Sequence, residues 1–190
     1  MDIYIIRHTT PDVEKGICYG QTDLGLTENY KEEFRAIAQK LPNIDTYKII
    51  SSPLKRCALL AQYLGQQVHY DNRLKELNFG DWELKAWNEI PEEVINPWMN
   101  DFVNVRVPNG ESYTDLASRV QTFFEELRLS KDNQNVIVTT HAGPIRSLLA
   151  MLLNIPLEKS FGIKINYGDV FQLRKEGTQL KLISENDVFN

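Results

Sequence analysis

Short continuous apolar runs alternate along this chain with longer segments whose apolar residues recur at helical spacing. Asp2 to Arg7 reads as a buried strand rich in isoleucine. His8 to Leu26 carries Pro11, Gly16, Gly20 and Gly25 and reads as a loop, long enough in so compact a chain to suggest a functional one. Thr27 stands where it can cap a helix running to about Leu41, with Phe34, Ile37, Ala38 and Leu41 on one face and Pro42 ending it. Tyr47 to Ser51 is a second strand, and Ser52 and Pro53 occupy the cap and first turn of a helix ending near Gly65. Val68 to Asp71 reads as a short third strand.

Arg73 to Glu83 mixes charges with Leu, Phe and Trp at no clean period, so an ordered loop packed on its apolar residues is expected. Glu89 to Val107, with Pro91 and Pro97 inside it and Pro108 after it, suggests short helical pieces suited to covering a site. Ser112 opens a helix to about Leu129 whose inward stripe is Leu116, Val120, Phe123, Phe124 and Leu127. Asn135 to Thr140 is the clearest buried strand, delivering His141-Ala142-Gly143 and then a helix from Ile145 to Leu153. Ile163 to Asn166, Val170 to Lys175 and Leu180 to Ser184 read as closing strands, the last two joined at Glu176-Gly177. Strands and helices alternate without internal repeats, which predicts an α/β domain with a mostly parallel central sheet covered on both faces. Residues 1–190 read as a single domain.

Composition narrows the function. At 190 residues, with 42% hydrophobic and 25% charged side chains, the chain can bury a sizeable core. A formal charge of −5 argues against a nucleic-acid or anionic-membrane partner, so any anion site must be a local pocket. No apolar run approaches membrane-spanning length, and the first apolar patch follows Asp2 rather than a basic region, so a cytoplasmic protein is expected. Cys18 and Cys57 are too few and irregular for a disulfide framework and are read as reduced thiols. Oligomeric state is not legible.

The candidate chemistry begins where the first strand ends in Arg7-His8, a permanent cation beside an imidazole that can lose its proton. Arg56 falls at the first turn of the helix after the second strand, where backbone N–H groups already favour an anion, though taken in isolation a solvated partner of a nearby carboxylate is the plainer reading. His141 follows another strand. In parallel sheets the carboxyl ends share one edge and ligands settle there, so three strand ends converge on one crevice. Glu76 and Glu83 lie among apolar residues where a carboxyl group holds its proton to higher pH, as a general acid requires; a pair of surface carboxylates is the plainer reading.

These residues carry a family resemblance: Arg7-His8, Gly20-Gln21-Thr22-Asp23 with Leu26-Thr27, Ser51-Ser52-Pro53-Leu54-x-Arg56, Leu74-x-Glu76-x-x-Phe79-Gly80-x-Trp82-Glu83, Pro108-x-Gly110-Glu111-Ser112, and His141-Ala142-Gly143-x-Ile145-Arg146. Over almost the whole length the chain resembles the histidine phosphatase superfamily, in the branch containing cofactor-dependent phosphoglycerate mutases and α-ribazole phosphatases. The resemblance implies a three-layer α/β/α sandwich of the phosphoglycerate mutase type. It also implies a phosphohistidine intermediate on His8, phosphate contacts from Arg7, Arg56 and His141, and proton transfer by Glu76, with no metal or other cofactor. Ala142 beside His141 joins the expected substrate-binding residues. The family usually has Gly after Arg-His and an Asn that helps bind phosphate, where this chain has Thr9 and no Asn before Gly20. A backbone carbonyl from Thr9 can stand in for that of Gly, and Gln21 or Thr22 is the candidate for the missing Asn contact.

The substrate is expected to be a small phosphorylated metabolite, and Cys18-Tyr19-Gly20-Gln21-Thr22-Asp23 points to α-ribazole 5′-phosphate in cobalamin assembly. A broad-specificity sugar or small-molecule phosphatase and a mutase-like enzyme are the catalytic alternatives, and a phospho-ligand binding module the non-catalytic one. Simple binding would need neither Glu76 nor His8. Tyr19, Phe79, Trp82, Trp87 and Trp98 could stack on a base but read better as core or lid packing, Arg146 as an ion-pair partner, and His69 as a surface residue.

Overall fold

The computed structural model describes residues 1–42 and 45–183. Among them, β1 (Asp2–Arg7), β2 (Lys48–Ser51), β3 (Val68–Tyr70), β4 (Val136–Thr140), β5 (Val170–Glu176) and β6 (Gln179–Leu182) form a six-stranded sheet in the order β3-β2-β4-β1-β5-β6. The β3/β2, β2/β4 and β4/β1 pairs are parallel, while β1/β5 and β5/β6 are antiparallel. The helices are α1 (Tyr30–Gln39), α2 (Lys55–Leu64), α3 (Glu92–Asn100), α4 (Tyr113–Leu129) and α5 (Ala142–Leu152). No helix among the described residues is long and apolar enough to cross a membrane.

Alternation along each central strand sends side chains to both faces. Ile3, Ile5, Val136 and Val138 pack with Leu116, Val120 and Phe124 of α4 and Ile145, Leu148 and Leu149 of α5. Ile6, Ile49 and Ile137 pack with Phe34 and Ile37 of α1 and Leu60, Ala61 and Leu64 of α2. Both faces are therefore buried, and the strands read as continuous apolar runs for that reason. The fold is the expected α/β/α sandwich with a mostly parallel sheet.

Four local expectations are corrected. Helix α1 starts at Tyr30 with Asn29 as its cap rather than Thr27; Thr27 instead closes the long loop by donating its backbone N–H to Thr10 O at 3.3 Å. Helix α2 starts at Lys55, because Ser52 continues the β2 ladder through Ser52 N to Thr139 O at 2.9 Å. Helix α5 starts at Ala142, with His141 extended at the cap and Pro144 in the first turn, where a missing N–H costs little. The stretch Ile163 to Asn166 is not a strand. Ile163 and Ile165 are buried and Lys164 and Asn166 exposed, but the carbonyls of Ile163 and Ile165 accept from Arg146 and Arg7 instead of from a neighbouring strand. The end of the last predicted strand, Ser184, lies outside the described residues.

Helix α4 matches its prediction, and the capping chemistry explains why. Ser112 Oγ accepts from Asp115 N at 3.1 Å while the Asp115 carboxylate accepts from Ser112 N at 2.8 Å. Ser112→Ala is expected to lower stability by about 1 kcal/mol, read as a lower urea midpoint at unchanged slope.

Candidate active site

Strands β2, β4 and β1 are adjacent and parallel, so their carboxyl ends open onto one edge. Arg7 is in register with Thr140 and Ser51 with Thr139. The ladder runs one residue further, through His8 N to Thr140 O at 3.0 Å and Ser52 N to Thr139 O at 2.9 Å. This brings His8 against His141, ring centroids 5.0 Å apart and edge-on. Arg56 arrives from the first turn of α2. The residues proposed from three distant segments therefore do meet.

His8 is 1% exposed, and its Nδ1 lies 2.7 Å from the carbonyl oxygen of Thr9. With the proton on Nδ1, that contact holds the ring and leaves Nε2 without a partner among the described residues. Thr9 thus supplies the carbonyl expected of it, at no positive φ. His141, 0% exposed, places Nε2 2.8 Å from Ser52 Oγ and 3.4 Å from Cys57 Sγ. Burial, followed by the Arg56 charge, holds both imidazoles well below their usual pKa, with Arg7 adding to the effect. Both rings are therefore neutral, as a nitrogen nucleophile must be. Cys57 is no rival nucleophile, because burial pushes its thiol up strongly and the thiol donates to Thr140 O at 3.3 Å.

Arg56 is fully buried, with Nη1 donating to Thr22 O at 2.9 Å and Nη2 to Gly20 O at 2.5 Å. Arg7 donates from Nη1 to Ile165 O at 2.8 Å and stacks its guanidinium 3.8 Å from the centre of the Tyr167 ring. In both arginines Nε is buried with no acceptor among the described residues. Tyr19 lies over Arg56, and its hydroxyl meets that of Tyr167 at 2.6 Å, so two rings from distant parts of the chain join over the two cations.

The two candidate carboxylates separate by their partners. Glu83 accepts from Gln21 N at 2.8 Å, Thr22 N at 2.5 Å, Phe79 N at 3.1 Å and the Thr22 hydroxyl, so it is spent on holding a loop. Glu76 faces the cavity, accepting from Leu77 N at 2.9 Å and from Gly143 N, at the start of α5, at 3.2 Å. A Cβ on residue 143 would come 2.2 Å from Glu76 Oε1, which accounts for the glycine after Ala142. Arg119 holds the Glu76 segment from behind, donating to the carbonyls of Arg73, Lys75 and Glu76 while pairing with Glu111 at 2.9 Å. Gln21 Nε2 also donates to Glu76 O, at 3.0 Å. Gln21 and Thr22 are thus turned into the loop clamp rather than onto the cavity wall, where the missing Asn contact was sought.

A cavity of about 150 Å³ lies against these groups, lined by Arg7, His8, Glu76 and Ala142 together with Tyr19, Leu77, Phe79, Tyr113, Gly143, Arg146 and Phe161. Arg56 and His141 lie buried behind its wall. Arg146 departs from its expected role: its Nε donates to Ile163 O at 3.4 Å and its guanidinium sits 4.6 Å from the centre of the Phe161 ring, with no carboxylate in an ion pair with it among the described residues. Trp82, Trp87 and Trp98 pack on one another beneath Phe79, as lid packing. His69 is exposed on β3, as expected, and Cys18 and Cys57 are both unpaired.

Sequence reasoning missed Ser52 as a partner of His141, Arg119 as the support of Glu76, and Tyr167 over Arg7. The motif Pro108-x-Gly110-Glu111-Ser112 was the signal for the second, since Glu111 is the partner of Arg119. Nothing local marks Tyr167.

The arrangement can hold a phosphoryl group against a neutral imidazole, with a carboxylate in reach of the outgoing oxygen. The chain belongs to the histidine phosphatase superfamily (branch 1), which it matches over residues 3–188, and it is a phosphatase of that type. Phosphoserine phosphatase 1 of Hydrogenobacter thermophilus is 30% identical over 191 residues, 95% of this chain and 90% of the relative. The solved α-ribazole phosphatase of Shigella flexneri shares the fold at a TM-score of 0.89 and 23% identity, covering 100% of this chain and 98% of that one. A mycobacterial glucosyl-3-phosphoglycerate phosphatase gives 0.83 at 25% identity, with the same coverage.

Because the folded imidazoles refuse protons that unfolded ones accept near their usual pKa of 6.5, their contribution to stability is present above that pH and lost below it. Urea midpoints are expected to fall as pH is lowered from about 7.5 to about 5.5, with a shallower fall in the His8→Gln/His141→Gln variant. An equal slope in that variant would assign the dependence to other groups.

Proposed function

We propose that this chain is a phosphomonoesterase that works through a phosphohistidine on His8, and that α-ribazole 5′-phosphate is its substrate. The observation that carries the mechanism is a buried His8 whose Nδ1 is tied to Thr9 O, beside two guanidinium groups whose buried Nε–H donors have no acceptor among the described residues. An anion with several acceptor oxygens is what those donors lack.

In the first step the His8 Nε2 lone pair attacks phosphorus and the ester P–O bond breaks. The bonding electrons go to the alcohol oxygen, which takes its proton from Glu76. In the second step water gives a proton to the Glu76 carboxylate and its oxygen attacks phosphorus, the P–N bond breaks and orthophosphate leaves. Arg7, Arg56 and His141 neutralise the equatorial oxygens, whose charge shifts between entering and leaving atoms. Ser52 sets the orientation of His141.

The α-ribazole reading, and with it a place in cobalamin assembly, is supported by the Cys18-to-Asp23 motif and by the aromatic residues lining the cavity. Phosphoserine is the second reading, supported by the Hydrogenobacter relative. Two free cysteines and a net charge of −5 support a cytoplasmic enzyme whose partner is a small phosphorylated molecule rather than a nucleic acid or membrane.

His8→Ala is expected to abolish release of p-nitrophenol from its phosphate ester, and Glu76→Gln to lower kcat by about a hundredfold or more. Acid-quenched wild-type enzyme should carry an acid-labile, base-stable phosphoryl group that His8→Ala lacks. Undiminished turnover in His8→Ala would end the covalent mechanism. Comparing kcat/KM for α-ribazole 5′-phosphate, phosphoserine and sugar phosphates tests the substrate, and parity among them would remove the α-ribazole assignment.

A further inference from the structure

Phe161 is a large apolar ring left 57% exposed, yet it lines the same cavity as His8 and Glu76. Its position is set from several sides: Phe102 meets it edge-on at 4.9 Å, Tyr113 lies 6.0 Å away, and the Arg146 guanidinium sits 4.6 Å from its centre. Exposing a ring this well held leaves apolar surface in water that a ligand can cover. Arg146 donates only from Nε, so the two nitrogens of its fork have no protein acceptor among the described residues. A flat apolar surface thus adjoins unpaired N–H donors in the lining of the catalytic cavity.

Size gives the pair its meaning. A cavity of about 150 Å³ is well below the usual range for ligand pockets, which starts at about 300 Å³. The phosphoryl group and the carbons next to it fill the space by His8, and the remainder of a larger leaving group must emerge at the rim. Phe161, the exposed ring of the lining, stands there with Arg146 against it. A phenyl ring and a permanently charged guanidinium neither attack phosphorus nor shuttle a proton, so they suit recognition of the leaving group rather than bond breaking.

Resting on the phosphatase reading above, we infer that Phe161, backed by Arg146, is a specificity-determining residue that selects phosphomonoesters whose alcohol carries a planar heteroaromatic ring. The ring stacks against Phe161, and its acceptor atoms or those of the adjoining sugar face the open fork of Arg146. A carboxylate on the leaving group is the competing occupant of Arg146, but it would leave the aromatic surface uncovered.

Ribose 5-phosphate carries the same reacting end as α-ribazole 5′-phosphate without the base, so the two isolate the ring's effect. In Phe161→Ala, kcat/KM for α-ribazole 5′-phosphate is expected to fall about tenfold while that for ribose 5-phosphate stays within about twofold. Phe161→Trp should retain the preference and Phe161→Leu, apolar but without a π face, should lose it. An equal loss on both substrates would make Phe161 merely structural and overturn the proposal. So would a wild-type preference for phosphoserine over both that disappears in Arg146→Met. Binding of the product α-ribazole, followed by calorimetry in wild type and Phe161→Ala, reads the stack without turnover. An unchanged Kd there overturns it, whereas an inactive wild type that still binds α-ribazole through Phe161 would count against the phosphatase reading alone.

Discussion

Holding two guanidinium groups, Arg56 fully and Arg7 half buried, beside two buried imidazoles is the constraint around which this molecule is arranged. Removing a charge from water is costly unless polar groups replace the lost solvation. Here the replacements are main-chain carbonyls: Gly20 and Thr22 for Arg56, Ile165 for Arg7. Those carbonyls come from loops rather than from regular elements, which explains why the long segment after β1 and the one before β5 stay outside the sheet. The compensation is incomplete, since neither Nε has an acceptor among the described residues, and burial, joined by the same positive field, disfavours the charged forms of His8 and His141. An anion completes the set, and a nucleophilic nitrogen is then already in place.

A second network fixes the carboxylate opposite. Glu76 belongs to a segment without regular structure, so its position depends on Arg119 gripping three successive parts of that segment and on Glu111 holding Arg119. Glycines permit the packing: a Cβ at Gly80 would come 2.1 Å from Pro108 O, and one at Gly110 would come 2.3 Å from Asn78 O. The motifs around residues 76–83 and 108–112 are therefore two halves of one support. Glu83, in the same segment, holds the Gln21-Thr22 loop that in turn supplies a carbonyl to Arg56. Phosphate-side and carboxylate-side groups are thus mechanically joined, with the Trp82, Trp87 and Trp98 cluster packed beneath.

Local physics determined a great deal here before any coordinates. The isoleucine-rich run ending in Arg7-His8, the Ser112 cap with Asp115 three residues on, and the valine-rich run ending in His141 each carry their structure in neighbouring residues. Parallel strand ends gather on one edge, so the meeting of Arg7, His8, Arg56 and His141 followed from the order of elements. What only the tertiary structure decided was the choice among residues of like chemistry. Glu76 and Glu83 look alike in sequence, but one faces the cavity and the other meets Gln21 and Thr22, which turns those two away from it. Ile163 to Asn166 has the alternation of a strand, yet its carbonyls serve two arginines. The Tyr19–Tyr167 contact and the unpaired fork of Arg146 depend on partners distant along the chain, and period or propensity has no access to the partner a side chain finds after the chain has closed.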